Sequence, residues 1–220
     1  MSLGHSGASF ETAEAAVDAG ARHATHLFNR MPPLHHRDPG LAGAVLARHE
    51  VTAEIICDGV HVHSPMIRVA LAAKGIDAVM AITDGTAASG LPEGGVASLG
   101  GRRICVRDGA AYLDDGTLAG SVATMDRVFR FLVRHVGLSP SEALVAATST
   151  AAVALGLGDE LGAIVPGRRA DLLVVDGDPL ADLAVLGDRE RIWLVVQEGA
   201  AVAGTALEAT PPGWPAGRSE

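Results

Sequence analysis

The sequence predicts an α/β protein built on a parallel sheet, and three observations carry that prediction. Strand-like and helix-like segments alternate through the first half of the chain. Polar residues with chemical potential fall just after the strand-like segments, as they do where the carboxyl ends of parallel strands build a site. Hydrophobic residues make up 48% of the chain but aromatics only 3%, and an Ala/Val/Leu core of this kind suits helices packed on parallel strands.

The elements follow in order. Leu3-Gly4-His5 reads as the tail of a first strand. Ser9 can cap a helix over about 10–19, with Phe10, Ala13, Ala16 and Val17 at helical spacing and Gly20 ending it. A second strand is predicted from His23 to Phe28, followed by a Pro-rich loop from Met31 to Gly40. Val51 to Cys57 reads as a buried strand. Ser64-Pro65 opens a helix, Ser64 as cap and Pro65 at the first helical position, which runs to Lys74 and stops at Gly75. Ala78 to Thr83 is the fourth strand. Asp108-Gly109 predicts a hairpin between Arg103–Val106 and Ala110–Leu113, and Asp115-Gly116 a second turn. Helices are expected from Thr124 to Val136, from Ser139-Pro140 to about Ala147, and near Ala151 to Leu155. The end of the chain changes character: Leu172–Val175, then Ile192–Gln197 and Ala200–Val202 around Glu198-Gly199, read as a small appended β module. Past Gly204 a loose tail is expected.

Composition excludes several classes. A net charge of −9 without a basic run makes nucleic acid and anionic membranes poor partners. No apolar run reaches the roughly 18 residues of a membrane span. Met1 to His5 has neither a basic nor an apolar leader region, so no signal peptide is expected, and a cytoplasmic protein with free thiols is the simplest expectation. Cys57 and Cys105 make no disulfide framework, and Cys57 is buried-strand material. Lys74 is the one lysine and is predicted on a helix surface, which speaks against Schiff-base chemistry. A length of 220 residues is too short for an eight-fold β/α barrel, which takes roughly 250, together with a second domain.

Eight of the nine histidines lie in the first 63 residues. His5 and His26 each sit at or just beyond a strand end with one helix between them, so they converge at one rim. They read either as two metal ligands or as hydrogen-bonded structural histidines. Asp84 ends a strand and precedes Gly85; it reads either as a proton carrier beside a metal or as a turn aspartate. His61 and His63 follow Asp58-Gly59 on one side of a loop, as donors to a developing oxyanion or as surface residues. Arg37, in a His35-His36-Arg37 loop, could grip a phosphate or carboxylate or simply be solvated. Leu118 to Ser121 places small residues ahead of a helix, where backbone N–H groups can approach a ligand.

Together these residues carry a resemblance. Gly4-His5-Ser6, His23-Ala24-Thr25-His26-Leu27-Phe28-Asn29, Pro33-Leu34-His35-His36-Arg37, Asp58-Gly59-Val60-His61-Val62-His63, Thr83-Asp84-Gly85, Leu118-Ala119-Gly120-Ser121 and Thr124-Met125-Asp126 resemble N-acetylglucosamine-6-phosphate deacetylases of the amidohydrolase superfamily, in order and spacing, from Leu3 to about Gly204. The segment Pro166-Gly167-Arg168-Arg169-Ala170-Asp171-Leu172 resembles the closing segment of many amidohydrolases.

The resemblance implies a partial (β/α)8 TIM barrel, strands five to eight, over residues 1–160, a piece of a small β-sandwich over 161–204, and a loose tail over 205–220. It implies His5 and His26 as ligands of one divalent metal ion, Zn or Fe, and Asp84 as the catalytic acid/base. Asn29, Arg30, Arg37, Asp58, Gly59, Val60, His61, Leu118, Ala119 and Gly120 become substrate-binding positions. Arg30 departs from the small residue the family more often has there. The implied substrate is N-acetylglucosamine 6-phosphate, with Arg37 reaching the phosphate of a neighbouring subunit in a homo-dimer. The family's third metal ligand, a glutamate, comes from a barrel half that lies ahead of the Gly-His-Ser motif; neither Glu54 nor Glu93 obviously replaces it. The chain is therefore expected to be the C-terminal portion of a deacetylase, with Met1 an artificial or misassigned start. The alternatives are a half-barrel that needs a separate N-terminal chain, an inactive remnant, or an amidohydrolase of different substrate, against which Arg37 argues.

Overall fold

Ser9 starts the first crossover. Its hydroxyl accepts the Thr12 backbone N–H at 3.3 Å, satisfying one orphan donor of helix α1 (Phe10–Asp18). The helix turns Ala13 and Val17 inward and carries the chain from strand β1 (Ser2–Leu3) to strand β2 (His23–Ala24). The computed structural model describes residues 1–207. Strands β3 (Thr52–Ile56) and β4 (Val79–Ile82) complete a four-stranded parallel sheet in the order β1-β2-β3-β4. Such pairing requires a crossover between each pair of neighbours. Helix α2 (Gly40–Ala47) and helix α3 (Ser64–Lys74) supply the other two. Val17, Leu27, Leu41, Val45, Ile55, Ile67 and Val79 form one buried cluster between sheet and helices, joined by Val128 and Leu132 from farther along.

Four details differ from the sequence reading. Helix α2 falls where no helix was predicted. Its sequence, Gly-Leu-Ala-Gly-Ala-Val-Leu-Ala, is apolar all round and buries Leu41, Ala42, Ala44 and Val45, so it carries no polar face to reveal a helical period. Strand β2 ends at Ala24 rather than Phe28, because His26 and Phe28 take positive φ (32° and 78°) and turn the chain. His63, not Ser64, occupies the cap position of α3, and its side chain makes no capping bond. Lys74 is buried, 7% exposed, rather than on the surface. Its ammonium donates to Val45 O at 2.9 Å and Arg48 O at 2.8 Å, the carbonyls left over where α2 ends. Burial pushes the Lys74 pKa down, and the charge of Glu50 opposes that. Lys74→Met is expected to strand both carbonyls and destabilise the fold by about 2–4 kcal/mol, read as a lower midpoint in urea unfolding; an unchanged midpoint would show these bonds to be idle.

A second sheet interrupts the alternation after β4. Strands β5 (Val96–Leu99), β6 (Arg102–Arg107), β7 (Ala110–Leu113) and β8 (Leu118–Ser121) pair antiparallel in sequence order. The predicted hairpin is its centre, and Asp108 and Gly109 both take positive φ (48° and 77°), as a tight two-residue turn demands. Leu118–Ser121, which the sequence places ahead of a helix, is thus an outer strand of this sheet, and α4 follows it. It touches β4's exit directly, through a parallel bridge between Gly85 and Ser121.

Helix α4 (Met125–Phe131) widens into a π turn over Leu132–Val136 and stops at Gly137, φ 90°. Ser139 and Glu142 form a reciprocal capping box at the head of α5 (Pro140–Ala147), and α6 (Ser149–Ala154) follows. A third sheet, order β11-β10-β9, comprises β9 (Leu172–Val175), β10 (Ile192–Gln197) and β11 (Ala200–Ala203), all antiparallel, turning at Glu198-Gly199 as the sequence predicts. Of the loose tail expected over 205–220, Thr205–Leu207 forms a 3-10 turn; positions 208–220 lie outside the described residues. No helix among the described residues is long and apolar enough to cross a membrane.

Candidate active site

The exits of the parallel strands set the site. His5 follows β1 and His26 follows β2, and their Nε2 atoms stand 2.7 Å apart with ring centroids at 4.6 Å. Gly4 makes this approach possible: a Cβ there would meet Thr25 Cβ at 2.8 Å. Both histidines hold positive φ, 47° and 32°, and Asp84, at the exit of β4, holds 50°. Left-handed backbone is costly for residues with a Cβ, roughly 1–2 kcal/mol each, and tends to gather where geometry serves function. Among the described residues seven non-glycine positions have positive φ, and four of them, His5, His26, Arg30 and Asp84, are candidate site residues.

Two imidazole nitrogens facing each other can share only one proton, one donating and one accepting. A cation between them would take both lone pairs. His26 is 4% exposed, and its Nδ1 is buried without a hydrogen-bond partner among the described residues. The pair fits two nitrogen ligands of one ion. Among the described residues, no group of three or more His, Cys, Asp or Glu could hold a metal. A hydrolytic site ordinarily uses three protein ligands, so the donor set here is two-thirds of one.

Asp84 is exposed, and its surroundings come from the antiparallel sheet. Its backbone O accepts the Ser121 N–H at 3.0 Å, and Ser121 O accepts from Thr86 N at 3.4 Å and Ser89 Oγ at 3.3 Å. Gly120 and Ser121 are thereby laid beside Asp84, with Leu118 and Ala119 earlier on the same strand. Gly120 has φ 93°, and a Cβ there would collide with Thr86 Cγ2 and come within 3.2 Å of Asp84 O. Gly120→Ala is expected to push β8 off Asp84 and destabilise the fold by about 2–4 kcal/mol, seen as a lower thermal midpoint and faster amide exchange at Ser121; retention of both would mean the contact tolerates a methyl group.

After β3, Asp58 and His61 form a buried pair. His61 Nδ1 lies 2.6 Å from Asp58 Oδ2, and the two side chains are 5% and 1% exposed. Asp58 Oδ1 accepts the backbone N–H groups of Val60 and His61, each at 2.9 Å. Burial pushes the Asp58 carboxyl up; the hydrogen bonds from the His61 ring and from the His61 and Val60 backbone outweigh it and hold the group below the usual carboxylate range. That stabilisation is present above the ordinary carboxylate pKa and is lost as pH falls through the depressed folded value. Gly59, φ 83°, packs on Phe131, whose ring a Cβ would meet at 2.7 Å. Phe131 in turn stacks on His135 at 5.0 Å. Phe131 lies outside the sequence motifs, and only its spacing four residues before His135 on a helix could have flagged it. Cys57 is buried and its thiol pushed up to about 12, chiefly by desolvation and then by the Asp58 charge, consistent with an inert core residue.

The remaining candidates stand apart. Asn29 Nδ2 donates to Leu27 O at 3.4 Å, in the turn that follows His26. Arg37 lies in the exposed loop and pairs with His36 Nε2 at 2.7 Å, with no hydrogen bond to the His5–His26 or Asp58–His61 pairs.

Residues 1–202 match the amidohydrolase family. The chain belongs to that family. Among amidohydrolase relatives, an N-acetylglucosamine-6-phosphate deacetylase of Lysinibacillus sphaericus is 38% identical over 192 residues, which is 87% of this chain and 49% of that protein. An N-acetylgalactosamine-6-phosphate deacetylase of Escherichia coli O157:H7 is also 38% identical, over 175 residues, 79% of this chain and 46% of that one. The solved structure of an aspartate-to-alanine variant of the Mycobacterium smegmatis N-acetyl-D-glucosamine-6-phosphate deacetylase, in complex with N-acetyl-D-glucosamine-6-phosphate, matches with a TM-score of 0.78 and 38% identity, over 91% of this chain and 50% of that one. This amidohydrolase chain spans about half the length of the curated relatives it matches.

Proposed function

We propose that this chain provides the proton-transfer and two-histidine part of a metal-dependent deacetylase that converts N-acetylglucosamine 6-phosphate to glucosamine 6-phosphate and acetate. The observation that carries the reading is the convergence of His5 and His26 Nε2 at 2.7 Å, at the carboxyl end of the parallel sheet whose fourth strand leads into Asp84. In this reading the parallel sheet is strands five to eight of a β/α barrel over residues 1–160, with a β-sandwich segment over 161–204.

His5 and His26 would hold the divalent ion, Zn or Fe. When bound, it polarises the acetyl carbonyl and acidifies water. The chain's own residues do the rest. The Asp84 carboxylate takes a proton from the attacking water as the new C–O bond forms. It then delivers that proton to the sugar nitrogen as the C–N bond breaks. His61 donates from its ring to the acetyl oxygen as charge collects there. The backbone of Leu118, Ala119 and Gly120, with Asn29 and the Gly59-Val60 loop, orients the sugar. Arg37, in its exposed loop, binds the phosphate of a sugar held by a neighbouring subunit of a homo-dimer.

A complementation-dependent half-barrel is favoured over a self-sufficient enzyme by the donor set, since the described residues supply two metal-binding side chains and not three. The test is acetate release after co-expression with a second chain made from the other half of a curated relative. The assembled pair is expected to deacetylate N-acetylglucosamine 6-phosphate in preference to the galactosamine epimer. An assembled, metal-loaded pair that leaves the glucosamine substrate untouched would remove this reading.

A further inference from the structure

The Asp58–His61 pair goes beyond the role of a substrate contact, and its geometry fixes how His61 can work. Every lone-pair direction that Asp58 uses is turned inward. Oδ1 takes two backbone N–H groups, Val60 and His61 at 2.9 Å each, and these are donors whatever the pH. Oδ2 faces the His61 ring at 2.6 Å. With the carboxyl ionised, the atom between it and the ring must be a proton on Nδ1. His61 Nε2 has no partner among the described residues.

We propose that Asp58 is the positioning residue of a buried carboxylate–imidazole pair, which fixes the Nδ1–H tautomer of His61 and leaves Nε2 as the one ring nitrogen that faces ligand. A consequence follows for the reaction proposed above, on which only this consequence rests. Neutral His61 offers a lone pair at Nε2, not a proton. Donation to the acetyl oxygen therefore requires the doubly protonated ring, whose charge Asp58 balances at 2.6 Å. The other charged or titratable groups around the hollow beside Asp58 are Arg127, Arg130, Arg134 and His135, on the turns of α4 and its continuation; Arg130 is already paired with Asp126 at 2.7 Å.

Asp58→Asn gives a sharp test. The two backbone N–H groups demand an oxygen at the Oδ1 position, so the amide must place its NH2 toward the ring. An NH2 can pair with Nδ1 only as donor, which drives the ring proton to Nε2. The experiment uses the 220-residue chain with 15N-labelled histidine, reading ring 1H–15N couplings across pH 5 to 9, with the His61 signals assigned by their loss in His61→Gln. In the wild type the neutral His61 ring is expected to carry its proton on Nδ1. In Asp58→Asn the neutral ring is expected to carry its proton on Nε2. Wild-type His61 ending with its proton on Nε2 would overturn the proposal, and this reading survives any failure of the variant to fold. An unchanged tautomer in a folded Asp58→Asn would overturn it equally. Neither readout uses metal or substrate, so a failed deacetylase assay leaves this result standing and a failed tautomer assay leaves the deacetylase reading standing.

Discussion

Asp84→Asn is expected to lower acetate release from N-acetylglucosamine 6-phosphate by about 10²–10⁴-fold in the assembled enzyme, the range that a positioned acid/base contributes. The isosteric amide keeps the turn at the exit of β4, because that turn is held by Asp84's backbone: its O accepts the Ser121 N–H at 3.0 Å, and Gly85 bridges to Ser121. The carboxylate itself is exposed and therefore open to substrate. Folding and metal content should be unchanged, while kcat falls far more than KM rises. Loss of metal together with activity would instead make Asp84 a ligand, and the division of labour proposed here would be wrong.

His5→Ala and His26→Ala are each expected to weaken metal binding by more than about 100-fold, beyond the 10–100-fold typical of removing an outer-shell partner. The reason is the size of the donor set. Where two imidazoles are the ligand pair supplied by the described residues, deletion of either leaves one. His26→Ala also removes a ring that is 4% exposed and packed at the core edge, so it should lower thermal stability as well, whereas the exposed His5 should affect metal alone. Titration with Zn or Fe followed by calorimetry separates the two effects. His61→Ala is the control: its ring belongs to the Asp58 pair and should leave metal affinity intact.

What the sequence disclosed depended on polarity pattern. Helices α1 and α3 show apolar residues at helical spacing beside charged ones, and both were legible with their caps to within a residue. Helix α2 was not, since an all-apolar octet between Pro39 and Arg48 has no face to read. Strand β8 was not legible, since Leu-Ala-Gly-Ser shows no strand alternation of its own; its pairing with β7 makes it a strand. Lys74 was misplaced because a lysine at a helix end is ordinarily solvated, and the carbonyls it binds belong to Val45 and Arg48, in and just past a helix the sequence hid.

The adjacency of His5 and His26 was legible, because successive parallel strands bring their exits to one rim. The positive φ of His5, His26 and Asp84 was not, since nothing in a histidine or aspartate announces it. The Asp58–His61 pair lay in plain view as Asp-Gly-Val-His. Its inward-facing carboxylate emerges only once Gly59 is seen turning on Phe131.

The central claim is that the described residues furnish two histidine ligands of a metal site and, at the carboxyl end of the same parallel sheet, a proton carrier. It is tested most directly by giving the purified 220-residue chain Zn or Fe and N-acetylglucosamine 6-phosphate, and measuring bound metal and released acetate. The account predicts weak metal binding that depends on both His5 and His26, with little or no acetate. Tight binding with full turnover by this chain alone would contradict it.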